Sequence, residues 1–167
     1  DIEDLEFLNF GSVPDLNSDK KVLKLVSNTE DSERHSTYIS PNSPESFVFG
    51  AIRSQLFHTM KSRENMQMIS VTSPRQGHGK SLITGKLAAS FAQTRKKILL
   101  VDGDVISKDL SHQLGAENKP GLRDILQENA NLKDVVIKSN HCENLDFLPA
   151  GIGQGSVADH LFSELCL

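Results

Sequence analysis

Apolar residues are irregular as far as Pro41 and then fall into patterns with a recognisable period. Phe49, Ile52, Leu56 and Met60 recur at helical spacing, the stripe of a helix that lays one face on a core. Ser43 suits the N-cap, Pro44 the first helical position, and Glu45 and Ser46 the first turn; Gly50 inside the run weakens it. Gln67-Met68-Ile69-Ser70-Val71-Thr72 reads as a strand. A loop from Ser73 to Gly79 follows, and then Lys80 to Thr94 holds helix formers, with Leu82, Ile83, Leu87 and Phe91 on one face. Ile98-Leu99-Leu100-Val101 is a continuous apolar run, as expected of a strand buried on both faces of a parallel sheet. Strand, loop, helix, strand is a βαβ unit, whose crossover is expected to be right-handed.

Beyond it the pattern predicts a short helix at Gly121–Gln127, a weak strand at Val135–Lys138 and a better one at Leu145–Leu148. Gly151-Ile152-Gly153-Gln154-Gly155 reads as a link to a last helix starting at Ser156. In the polar N-terminal part, Asp1–Leu8 has the pattern of a short amphipathic helix, Val22–Val26 is strand-like, and the rest is linker. The expected organisation is therefore a segment over 1–42 followed by an α/β domain over 43–167, with no internal repeat.

Composition narrows the function classes. Hydrophobic content of 37% and charged content of 24% are ordinary for a globular chain. A net charge of −4 argues against general binding to nucleic acid or an anionic membrane. Arg95-Lys96-Lys97 reads as a solvated helix end. Cys142 and Cys166 have no CxxC spacing, so neither a disulfide framework nor a zinc site is expected, and a reducing compartment is. No apolar run approaches the roughly 18 residues of a membrane span, and no signal peptide is recognisable. The chain begins at Asp1 rather than Met, which reads as a processed product or an excised piece.

Chemistry enters at Gly77-His78-Gly79-Lys80-Ser81. Without Cβ atoms, Gly77 and Gly79 let the backbone bend tightly and bring N–H groups onto phosphate oxygens. The helix beginning near Lys80 aims its positive end at the same point. Lys80 can neutralise the β- and γ-phosphates, and the Ser81 hydroxyl can meet Mg²⁺. The full pattern G-x-x-x-x-G-K-[ST] has Pro74 at its first glycine, but the preceding strand and following helix supply the context that such a loop needs. The expected nucleotide-binding set is Gly77, His78, Gly79, Lys80, Ser81 and Leu82. His78 on its own reads as an exposed loop residue.

Asp102-Gly103-Asp104 ends the apolar strand, at the edge where open parallel sheets build their sites. One aspartate there can hold Mg²⁺ or its water, and the other can orient or deprotonate an attacking hydroxyl. Asp-Gly by itself is a common turn pair; the buried strand and the neighbouring phosphate loop favour a site. His58, His112, His141 and His160 have no metal-ligand spacing, and Tyr38 is the single tyrosine.

With these motifs in place, the chain resembles the cytoplasmic domain of bacterial tyrosine autokinases, the kinases fused or attached to polysaccharide co-polymerases, within the wider partition- and division-site group of P-loop ATPases. Glu3–Pro14 resembles the segment after their second membrane helix. Ser43–Leu56 resembles their SPxxEAFRxLRxNL helix, Thr72–Ser81 their Walker A, and Ile98–Asp104 their Walker A′ strand. Glu117–Leu126 and Asn144–Gly151 resemble two further stretches. The resemblance implies a P-loop fold, a mainly parallel sheet with flanking helices, and ATP and Mg²⁺ as cofactors. It implies that Lys80 binds phosphate and serves catalysis with Asp102, which acts on a tyrosine hydroxyl, and that Ser81, Asp104 and Asp102 form the Mg²⁺ site. It also implies autophosphorylation in a tyrosine-rich tail, homo-oligomers through the 43–60 helix, and a co-polymerase or export partner. The location implied is cytoplasmic, at the inner face of the bacterial plasma membrane.

The departures are specific. The family's ExxRxxR positions hold Phe47, Gly50 and Arg53 here, which weakens the ring-assembly motif. Ile106 and Ser107 replace the usual arginines after the DxD, and Lys86 replaces an asparagine. The Walker B strand and tyrosine tail would lie beyond Leu167, leaving apolar sheet edge that needs cover. The alternative readings are a partition-type ATPase switch and a non-catalytic regulatory domain of an export system.

Overall fold

The computed structural model describes residues 44–61, 68–75, 77–139 and 142–152. The expected elements before Pro44, the Ser43 cap, Tyr38 and the helix from Ser156 lie outside the described residues. The order is α1 (Pro44–Lys61), α2 (Lys80–Ala92), β1 (Ile98–Val101), α3 (Asp109–Gln113), α4 (Leu122–Leu126), α5 (Leu132–Val135), β2 (Ile137–Lys138) and β3 (Leu145–Leu148).

The α1 stripe does what its spacing predicts. Phe49 is fully buried against Leu87 and Phe91 of α2, with Ile52, Leu56 and Met60 packed around them. The helix continues through Gly50. Glycine costs about 1 kcal/mol in a helix interior, whereas burying one Phe side chain contributes roughly 1.5–3 kcal/mol, so packing wins. Arg53 adds a polar clamp, donating from Nη1 to the Ser90 carbonyl at 2.6 Å and to Ser90 Oγ at 3.0 Å.

Rather than being amphipathic, α2 is buried all round from Gly85 to Ala92. Leu87 and Phe91 face α1, while Ala88 and Ala92 face the sheet beside Leu100, Leu110, Leu114, Leu145 and Phe147. Two i, i+4 rows on adjacent sides of one helix thus join two cores. The small side chains of the second row let the helix approach the sheet closely.

The sheet order is β1-β3-β2. The expected parallel pairing is present between β1 and β3, in the register Ile98↔Leu145 to Val101↔Leu148. An antiparallel edge strand is added, with Ile137 opposite Phe147. β2 is shorter than the weak strand expected there, because Leu132–Val135 forms α5.

Two expectations change. Met68–Thr72 has no regular secondary structure, although it keeps a strand-like rhythm, Met68 exposed and Ile69 packed into the α1–α2 core. A strand is defined by a hydrogen-bonded neighbour, and among the described residues this segment has none. Similarly, β1 is not buried on both faces. Leu100 is covered by α2 and α3, but Leu99 and Val101 are 45% and 39% exposed, because no described element covers the face they share.

Candidate functional site: the phosphate loop and the DGD turn

Five residues, 93–97, separate α2 from β1 and reverse the chain. Because α2 then packs antiparallel on β1, its N-terminus lies toward the C-terminal end of that strand. The sequence-predicted loop and the DGD turn therefore share one edge of the sheet, the edge at which α/β folds bind ligands.

Gly77 and Gly79 have φ of 78° and 76°, and a Cβ at either would meet nothing within 4 Å. Glycine is required there by backbone angle, not by crowding. Gly79 is the N-cap of α2 in the left-handed region, with no side-chain cap and no acidic residue in the first turn. A helix N-terminus has N–H groups without intrahelical partners, and this one faces an open loop, since Gly77, His78 and Gly79 are exposed. Lys80, Ser81 and Leu82 are half-buried at the start of the helix. At the near end of the loop, Ser73 Oγ donates to the Arg75 carbonyl at 2.8 Å. Uncapped amides, a cation and a hydroxyl at one helix start form an anion-receptive cradle.

Across the edge, the Asp102 N–H extends the ladder to the Leu148 carbonyl at 3.0 Å. The Asp102 side chain is only 3% exposed. Its Oδ2 accepts from the Ser111 N–H at 2.8 Å and from Ser111 Oγ at 2.7 Å. Its Oδ1 accepts from the Asp104 N–H at 3.1 Å. Asp104 is half-buried and accepts from the Ser107 N–H at 2.9 Å, closing the turn before α3. Oxygen donors suit Mg²⁺, and Ser81 and Asp104 bring one hydroxyl and one half-buried carboxylate, donors of the kind that ion takes beside phosphate oxygens and water; among the described residues no three His, Cys, Asp or Glu side chains cluster as a metal site of protein groups alone.

The loop leaving β3 completes the edge, and sequence reasoning missed what fastens it. The Ala150 N–H donates to Ser111 Oγ at 2.9 Å, and Lys108 Nζ to the Gly151 carbonyl at 2.5 Å. Asp124 Oδ2 accepts from the Gly121 N–H at 2.8 Å and the Ile152 N–H at 3.0 Å. The Leu122 and Arg123 N–H groups donate to the Pro149 and Ala150 carbonyls. Only Asp124, three residues after Gly121 at a helix start, had a local signal, that of a capping acid. Of the histidines, His58, His78 and His112 join no metal-binding cluster among the described residues, and His35, His141 and His160 lie outside them. A cleft lined by Lys119, Pro120, Asp134, Val135, Val136 and Ile137 includes none of the expected site residues.

Residues 66–165 match the family model described as an AAA domain. The chain belongs to that family. An uncharacterized ATP-binding protein of Methanocaldococcus jannaschii is 41% identical over 96 residues, covering 58% of this chain and 35% of that protein. A putative tyrosine-protein kinase in the cps region of Klebsiella pneumoniae is 30% identical over 156 residues, covering 90% of this chain and 21% of that protein. The solved BceF tyrosine kinase domain aligns with a TM-score of 0.64 and 27% identity, over 74% of this chain and 48% of that one. The homologues thus include bacterial tyrosine-protein kinases, and the fold is that of their P-loop kinase domains. The chain spans well under two thirds of each of these proteins.

Proposed function

We propose that this chain is the nucleotide-binding part of an ATP-dependent tyrosine autokinase that regulates capsular or exopolysaccharide synthesis and export. The observation that carries the reading is the uncapped start of α2 behind two left-handed glycines, with Lys80 and Ser81 as its first two residues. The match to tyrosine-protein kinases over most of the chain supports the choice of reaction.

In this reading the amides of Gly77–Leu82 cradle the phosphates of ATP, and Lys80 offsets their charge. Ser81 and Asp104 would hold Mg²⁺, which when bound neutralises charge on the β- and γ-phosphates. Asp102 orients a tyrosine hydroxyl and receives its proton as the oxygen attacks the γ-phosphorus. The bond from that phosphorus to the bridging oxygen breaks, and the electron pair leaves on ADP. The domain carrying this chemistry is 43–167, and 1–42 leads into it.

Oligomerisation through the 43–60 helix belongs to the same proposal, with one restriction. Arg53, the charge left from the assembly motif, is turned inward onto Ser90, so a partner contact would use outer residues such as Phe47, which is 71% exposed. Among the described residues no helix is long and apolar enough to cross a membrane. Placement at the inner face of the plasma membrane would then come from a fused or partner membrane segment.

The test is phosphotyrosine formation by the full-length protein with Mg-ATP, beside its Lys80→Met variant. We expect the variant to lose at least about 100-fold in rate, the order seen when one charge-stabilising donor is removed from a reacting centre, with its unfolding temperature unchanged. Equal phosphorylation by both would remove the assigned role. ATP hydrolysis without phosphotyrosine would favour the partition-type switch.

A further inference from the structure

We infer that Ser111 is a positioning residue for the phosphoryl-transfer site, holding Asp102 by one oxygen so that the other faces the chemistry. The inference rests on the kinase reading above and assigns the two carboxylate oxygens separate tasks.

The two oxygens of Asp102 are held very differently. Oδ2 takes two short bonds, both from Ser111, at 2.8 Å from the amide and 2.7 Å from the hydroxyl. Oδ1 takes a longer one, 3.1 Å, from the Asp104 amide within its own turn. Ser111 is fully buried and Asp102 nearly so. Oδ2 is thereby tied to α3 and turned toward the protein. Oδ1 keeps only the longer bond within its own turn, and is the oxygen we assign to meet a substrate hydroxyl.

Ser111 also has a second partner. A hydroxyl has one proton to donate and two lone pairs to accept with. Here the proton goes to Asp102 and a lone pair takes the Ala150 N–H at 2.9 Å. The direction of the hydroxyl is therefore fixed from both sides, and with it the rotation of the carboxylate. The chain Ala150–Ser111–Asp102 links the end of β3 to the end of β1 through α3. Lys108, at the start of α3 with φ of 52°, repeats the link one residue later through the Gly151 carbonyl. A backbone held by these ties leaves the carboxylate little room to swing.

The test uses the full-length protein with Mg-ATP and compares Ser111→Ala, Ser111→Thr, Asp102→Asn and the Ser111→Ala/Asp102→Asn double variant. Ser111→Ala removes one hydroxyl, and we expect kcat to fall about 10- to 100-fold, as misplacement of a reacting group by an ångström or less can do. The Kd for Mg-ADP should stay within about two-fold, because the phosphate cradle is built by other residues. Ser111→Thr, which keeps the hydroxyl, should recover most of kcat. In the double variant the serine change should add no further loss to that of Asp102→Asn, since residues that act as a unit are not additive. A second full loss on the Asp102→Asn background would overturn the inference, as would equal defects in the Ala and Thr variants or a parallel weakening of Mg-ADP binding. Wild-type turnover by Asp102→Asn would instead remove the kinase reading itself, a failure separable from that of Ser111.

Discussion

Glycine serves opposite purposes at the two sides of the candidate site. At Gly77 and Gly79 the backbone is left-handed and the space beyond Cα is empty. At Gly121, by contrast, the backbone is extended, with φ of −167°, and a Cβ would lie 2.1 Å from the Pro149 carbonyl oxygen. The first region holds space open in front of helix amides. The second closes space so that α4 can press on the loop leaving β3. Open room next to unpartnered amides is what a ligand needs, while contact on all sides is what a scaffold needs. The difference therefore separates the candidate binding loop from its support within a single edge.

The comparison is broken most directly at the crowded side. Gly121→Ala must move α4 or the Pro149–Gly151 backbone, since the clash is with main chain rather than a flexible side chain. We expect a loss of about 3 kcal/mol, at the upper end for overpacking, measured by denaturant unfolding. Mg-ADP affinity of the fraction still folded should be unchanged. Asp124→Ala is the next step down. It removes the acceptor of the Gly121 and Ile152 N–H groups, which are held by one buried oxygen. Leaving buried donors without an acceptor costs about 1–3 kcal/mol, and we expect about 2 kcal/mol in the same measurement. A variant as stable as the parent would show that these bonds do not hold the loop.

How much of this could be read from the chain depends on the range of the interaction. The α1 stripe at Phe49, Ile52, Leu56 and Met60 was legible because a helix repeats every 3.6 residues and buries that face. Leu145–Leu148 was legible as a strand, and the phosphate loop as a loop, from local chemistry alone. Met68–Thr72 was not, because a ladder depends on a neighbour that the segment itself does not encode. The second buried row of α2 was missed because Ala88 and Ala92 carry little apolar signal, yet their small size is what lets β1 approach. Ser111 had no signal at all. Its partners stand 9 and 39 residues away, a separation over which no spacing rule operates.

The smallest effect on stability, and the sharpest on the comparison, is expected at Gly79. Alanine there meets no protein atom, so its cost is the left-handed backbone alone, about 1–2 kcal/mol for a residue with a Cβ. Asparagine tolerates that conformation better than alanine, and Gly79→Asn should regain part of the loss. Nucleotide binding should not follow the same order. Both side chains enter the space in front of the α2 amides, so both should weaken Mg-ATP, and asparagine, being the larger, should weaken it at least as much. Stability and Kd measured on the two variants would then rank them in opposite directions. If Mg-ATP affinity instead rose and fell with stability, the empty space before Gly79 would be a consequence of the turn rather than the seat of the phosphates.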